Sequence, residues 1–373
     1  MIYLDYAANT PVEEEVIDAF YQTTVKYFAN PNSVHKLGLE AKELLDLSTN
    51  NISKRLNVLP EEIIYTSGST ESNNLAIKGV CERYKNKGKH IIISSLEHNS
   101  IIASATNMQE LGFEIDLLPV TKNGIVDLEE LKKLIRNDTI LVSVCAVDSE
   151  LGIIQPIHEI KDIVKQNPNC LFHTDATQAI GKINIDISDM DLVTLAPHKF
   201  YGLNGIGALI KKKNVSLKPQ ISGGKSTTVY RSGTPVLGNV VAFSKALDCA
   251  LDNLDFRITY VTKLNKIVRE RLSQYPLVCI NSPVDSIPYT LNISVRGIKS
   301  SKFVEALQNY DVYISAKTSC CPENTPSKMV YAVSKDKSLS TTSLRISLSH
   351  LTTEDELEQF SNIFDICYKE LVK

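Results

Sequence analysis

Two short stretches carry residues whose types and spacing suit chemistry. In the first, the apolar run Leu192-Val193-Thr194-Leu195 reads as a buried parallel strand and runs into Ala196-Pro197-His198-Lys199, with Gly202, Gly205 and Gly207 behind it. In the second, Cys170-Leu171-Phe172-His173-Thr174 leads to Asp175-Ala176-Thr177-Gln178. A lysine is ordinarily a solvated surface residue. Here an amine and a carboxylate are delivered at one sheet edge, a pairing that suits pyridoxal 5'-phosphate (PLP). That cofactor needs a lysine for its aldehyde and an acid for its pyridine nitrogen.

Other segments supply further candidates. Thr66-Ser67-Gly68-Ser69-Thr70-Glu71 is a small polar turn entering an apolar helix, either a plain capped helix or a phosphate cradle. His98 follows the strand-like Ile91-Ile92-Ile93, as a hydrogen-bonded structural residue or as a ring laid on a planar cofactor. Tyr230-Arg231-Ser232-Gly233-Thr234 is a second polar turn. Arg345 lies in the alternating strand Ser343–Leu348, where an arginine either faces solvent or clamps a carboxylate bidentately. Cys320-Cys321, with Lys317 upstream, lie in a polar stretch that reads as an exposed loop, where a cation favours the nucleophilic thiolate.

The elements that must position these residues alternate along the chain. Ile91–Ile93, Phe113–Ile115, Ile140–Val144, Leu171–Phe172 and Leu192–Val193 read as strands, with helical periods such as Leu128–Ile135 between them. The fold class is therefore α/β, a mostly parallel sheet flanked by helices, with ligands expected beyond the carboxyl ends of the strands. Thr10 reads as a helix N-cap with Pro11 at the first helical position. Val240–Tyr275 reads as one long helical stretch, and Thr353 as the cap of a final amphipathic helix.

The 373 residues are too many for one small core, so a large domain and a smaller α+β C-terminal one are expected. With 43% hydrophobic and 22% charged residues and a net charge of −3 spread along the chain, neither a nucleic-acid footprint nor a membrane span is expected. Eight cysteines form no C-x-x-C pair, which argues against a zinc site and for a reducing, cytoplasmic location. Six of them, at positions 81, 145, 170, 249, 279 and 367, read as small core residues.

Taken in order, the motifs resemble the cysteine desulfurases, in the class V branch of the fold-type I PLP enzymes. The resemblance runs nearly end to end: Tyr3–Ala8, Thr66–Ile77, Glu97-His98, Asp175–Gln178, His198-Lys199, Arg231–Thr234 and Ser343–Arg345. It implies a PLP-binding domain over 15–245, and a small domain of 1–14 plus 246–373 that carries the cysteine loop and the substrate arginine. Lys199 would bond the cofactor and move protons, Asp175 would pair with the pyridine nitrogen, and Gln178 would touch the phenolic oxygen. His98 would stack on the ring and assist proton transfer. Ser69, Thr70 and His198 would hold the phosphate, with Thr234 reaching over from a second copy in a homodimer. Arg345 and Ser149 would bind the carboxylate of L-cysteine. Cys320 would take the sulfur as a persulfide for an acceptor protein such as an iron–sulfur scaffold.

The chain departs from the family's pattern at several places. Asp148-Ser149 stands where the family has Asn-Asn, and Ala196 where it has Ser, removing one phosphate hydroxyl. Asp148 is expected to add negative charge near the substrate carboxylate. That change motivates a second reading, a lyase acting on selenocysteine, cystine or another amino acid. A third reading is a non-catalytic sulfur relay using Cys320 and Cys321.

Overall fold

The computed structural model describes residues 1–317 and 325–372; the Cys320-Cys321 pair lies outside them. Its central sheet has seven strands: β2 (Ile63–Thr66), β3 (His90–Ser94), β4 (Glu114–Leu118), β5 (Thr139–Ser143), β6 (Leu171–Asp175), β7 (Leu192–Leu195) and β8 (Gly207–Lys211). They lie in the order β2-β8-β7-β6-β5-β3-β4. Only β8 runs against its neighbours. Successive side chains of a strand point to opposite faces. Ile91, Ile93, Leu141, Leu192 and Leu209 pack into one apolar cluster with Leu75, Ile77 and Ile101, while Ile92, Val142, Val193 and Ile210 pack into another. Both faces of the sheet are therefore covered, which is why its strands read as continuous apolar runs.

The helices before and among these strands are α1 (Glu14–Lys26), α2 (Lys36–Leu56), α3 (Ser69–Tyr84), α4 (Asn99–Glu110), α5 (Leu128–Leu134) and α6 (Ile157–Val164). Two long helices follow, α7 (Leu237–Asp252) and α8 (Leu254–Leu272). The expected helical stretch over 240–275 is thus present as two helices in succession. Asn253 joins them at φ −106°, ψ 10°, its side chain donating to the Cys249 carbonyl at 2.9 Å. A second correction concerns Thr10. α1 begins at Glu14, and the Thr10 hydroxyl instead donates to the His198 carbonyl and accepts from Tyr201 N. Thr10 staples the N-terminal segment to the Lys199 turn.

Beyond the central sheet, β9 (Val278–Ile280), β10 (Thr290–Val295) and β12 (Ser343–Ser347) form an antiparallel sheet, and β1 (Ile2–Tyr3) pairs in parallel with β11 (Val312–Tyr313). Helices α9 (Ser300–Gln308), α10 (Lys328–Ser334), α11 (Lys337–Thr341) and α12 (Glu354–Leu371) complete the chain. α12 starts as its sequence predicts, with Thr353 and Glu356 in a reciprocal capping box. The backbone of Ser347 donates to Leu4 O, so the N-terminus is held against β12 and thereby against Arg345. No helix among the described residues is long and apolar enough to cross a membrane.

Candidate active site

The carboxyl ends of β2, β3, β5, β6 and β7 open onto one cavity of about 440 Å³. Ser69, Thr70, His98, Ser149, Asp175, Gln178, His198, Lys199 and Arg345 all line it. One residue singled out in the sequence, Thr234, is not among them. Thr234 is exposed and away from this wall, and Cys320 lies outside the described residues.

Each strand end contributes a distinct group. β6 ends in Asp175, which is buried; its Oδ2 accepts from Asn73 Nδ2 at 2.8 Å and its Oδ1 from Thr177 N at 3.0 Å. β7 runs into a short turn carrying His198 and Lys199. Lys199 Nζ donates to the carbonyl of Ala7 at 2.9 Å and also to that of Ala8. Gln178 Nε2 donates to the same Ala7 carbonyl at 3.0 Å, and its Oε1 accepts from Lys182 Nζ at 2.5 Å.

β3 leads to Glu97-His98. His98 caps α4, its Nδ1 accepting from Ser100 N, so the ring proton sits on Nε2. Burial holds this imidazole below its ordinary range, with the nearby Lys199 charge acting in the same direction and Asp175 against it. Both charges therefore reach one ring. His198 is pushed down to about 4 by burial and by Lys199 and Lys182, so it too is neutral at pH 7. Glu97 is wholly buried, and burial raises its carboxyl to about 8. Its Oε1 accepts from Ser94 Oγ and Cys145 N.

β2 feeds α3 through Ser67-Gly68. A Cβ on Gly207 would lie 2.7 Å from the Gly68 backbone, so glycine at 207 lets β8 and the start of α3 approach. Glu71, in the first turn, accepts from Ser67 N and from Arg231 Nε at 2.9 Å. Burial alone would raise its carboxyl, but these bonds pull it below the usual carboxylate range. The pair puts a cation beside the helix N-terminus, where anions are favoured.

β5 leads to the loop 145–153, and here the structure corrects an expectation. Asp148 does not offer free negative charge to a substrate. Its Oδ1 accepts from Glu150 N and Leu151 N, and its Oδ2 from Ile153 N, at 2.8 to 2.9 Å. Burial raises it to about 6 despite these bonds. The carboxylate shapes the loop, and the loop presents Ser149 O to Arg345 NH1 at 2.9 Å. Arg345 is 1% exposed, its NH2 paired with Asp5 Oδ1 at 2.9 Å. It is therefore a buried arginine on the cavity wall, not a solvent-facing one.

The site has members that motif reading missed. Asn73 holds Asp175, Asp5 holds Arg345, the Ala7 and Ala8 carbonyls hold Lys199, and Cys145, assigned to the core, lines the cavity. Only Asn73 left a local signal, a polar residue beside the apolar run Leu75-Ala76-Ile77 of α3.

The donor set fits PLP. Ser149 Oγ, Thr177 Oγ1 and Arg345 Nε are buried on the cavity wall with no partner among the described residues. Orphaned polar groups of this kind call for a polar ligand. A covalent amine, a carboxylate for a ring nitrogen, an imidazole and a hydroxyl-rich helix N-terminus surround a volume suited to one small ligand.

The chain is similar to known proteins along nearly its whole length. The sequence profile of the aminotransferase class-V family matches residues 2–360. The chain is 35% identical over 375 residues to a cysteine desulfurase of Dictyoglomus turgidum, covering 99% of this chain and 95% of that one. It is 38% identical over 366 residues to a mitochondrial cysteine desulfurase of Candida maltosa, covering 96% and 75%. Among solved structures it superposes on a NifS-like protein with a TM-score of 0.92 at 32% identity, covering 98% of each chain.

Proposed function

Since the chain belongs to the cysteine desulfurase branch of the aminotransferase class-V family, we propose that it is a PLP-dependent cysteine desulfurase. In this reading it converts L-cysteine to L-alanine and keeps the sulfur as a persulfide on Cys320 for transfer to an acceptor protein. The observation that carries the reading is the gathering of Lys199, Asp175, Gln178, His98 and Arg345 on one cavity.

Bound PLP supplies an electron sink that labilises bonds at the substrate's α-carbon. Lys199 would hold it through Nζ and would move protons between the substrate carbons. Asp175 would keep the proton on the pyridine nitrogen. Ser69, Thr70 and His198 would hold the phosphate at the start of α3, with Thr234 added from the second copy of a homodimer. Arg345 Nε and Ser149 Oγ, both unpartnered, suit the substrate carboxylate. His98, its pKa held down by burial, lines the cavity and would assist proton movement. The Cys320 thiolate attacks the substrate sulfur. A sulfur–sulfur bond forms, the substrate carbon–sulfur bond breaks, and the carbon is protonated to give alanine.

The exposed stripe Ile17, Tyr21 and Val25 on α1, continued by Phe28, supports a covered face and hence the homodimer. The same proposal places the enzyme in the cytoplasm. Because Asp148 is satisfied by backbone N–H groups, the charge that motivated a different amino acid substrate loses its force.

Exposure of the PLP-loaded protein to L-cysteine, followed by mass spectrometry, tests the reading. One alanine should appear per sulfur, with 32 Da (~one sulfur atom) gained on the peptide holding Cys320. Cys320→Ser should keep PLP and gain no mass, whereas Cys321→Ser should behave as the unaltered protein. Alanine formation unchanged by Cys320→Ser would overturn the assignment of the nucleophile.

A further inference from the structure

One buried charge has no part in these steps. Lys182 is 5% exposed and does not line the cavity, and its Nζ donates to Gln178 Oε1 at 2.5 Å. Burial, with Lys199 and Arg345 close by, pushes it down to about 7. An apolar side chain of the same length would occupy this position without the cost of burying an amine.

What the amine adds is direction. In its charged form a lysine amine only donates, and an amide oxygen only accepts, so this bond decides which end of the Gln178 amide faces which way. With Oε1 turned toward Lys182, Nε2 points to the Ala7 carbonyl, the acceptor it shares with Lys199. The flipped amide would set N–H against Nζ and oxygen against the carbonyl, two repulsive contacts in place of two bonds.

We propose that Lys182 is a positioning residue that locks the Gln178 amide with its N–H edge toward the cavity. So held, Gln178 can only donate, and it favours the deprotonated form of the cofactor's phenolic oxygen. The inference rests on the PLP part of the proposed function and not on the identity of the amino acid substrate.

A double-mutant cycle read on PLP itself tests it, using Lys182→Met, Gln178→Leu and the double variant, with circular dichroism to check folding. Lys182→Met should weaken PLP binding about tenfold, the loss of one hydrogen bond to a charged group. It should also move the colour change of the Lys199-linked cofactor to higher pH, since a donor held on the phenolic oxygen by Gln178 opposes proton uptake. The double variant should match Gln178→Leu alone on both readouts. If Lys182→Met fails to fold, Lys182→Arg, which keeps a donor, should hold PLP within about threefold of the unaltered protein. Additive losses in the cycle, an unmoved colour change, or a Lys182→Arg protein as weak as Gln178→Leu would overturn the inference. Wild-type protein that takes up no PLP would overturn this inference and the proposed function together. Normal PLP uptake without alanine from L-cysteine would overturn the desulfurase reading alone.

Discussion

Glu97 sits one residue from the His98 ring as a neutral acid, its Oε2 buried without a partner among the described residues. A carboxyl whose pKa is higher folded than unfolded binds more protons when folded. Its contribution to stability is full below the unfolded value and is lost as pH rises toward about 8. Glu97→Gln keeps the shape without the proton. It should flatten the fall in stability between about pH 5 and pH 8 by an amount on the order of a few kcal/mol, measured by denaturant titration of the PLP-free protein. An unchanged slope would mean that Glu97 is ionised in the fold. At this scale the sequence was informative where chemistry-bearing residues end apolar strands, as at Asp175 and Lys199. It was not informative where backbone geometry decides. Asp148 looked like loose charge because the three N–H groups that it accepts belong to a turn whose shape no residue type reveals.

At the scale of elements, the start of α3 depends on a contact between two glycines distant in sequence. Gly207→Ala would drive a Cβ to within 2.7 Å of the Gly68 backbone, and backbone cannot yield as a flexible side chain can. The substitution should cost about 1–3 kcal/mol of stability and weaken PLP binding by more than about tenfold, because the displaced turn is the one proposed to hold the phosphate. Thermal unfolding and PLP titration read both effects; unchanged PLP affinity would detach this turn from the phosphate. Element types were legible from period and length, and α12 even from its capping residues. Boundaries were less so. Thr10 has the type of an N-cap but is engaged by His198 and Tyr201, and Asn253 breaks a pattern that otherwise runs on as one helix. In both cases a tertiary or backbone contact outweighs local preference.

Across the whole molecule, the strand order explains why residues so far apart in sequence meet. A parallel sheet gathers the carboxyl ends of its strands at one edge, so Thr70, His98, Ser149, Asp175 and Lys199 converge there. The alternation of apolar runs and helical periods made this much foreseeable. What it could not foresee is the crossing of the N-terminal segment, which brings Asp5 to Arg345 and two carbonyls to Lys199 from the far end of the chain. These carbonyls hold the Lys199 amine at the cavity, where the proposed function has it bond the cofactor's aldehyde. Borohydride reduction of PLP-loaded protein, followed by peptide mass spectrometry, tests this most directly. The account predicts one phosphopyridoxyl group per chain, on the peptide containing Lys199, and its loss in Lys199→Ala. A label carried by another lysine, or a chain left unlabelled at saturating PLP, would contradict it.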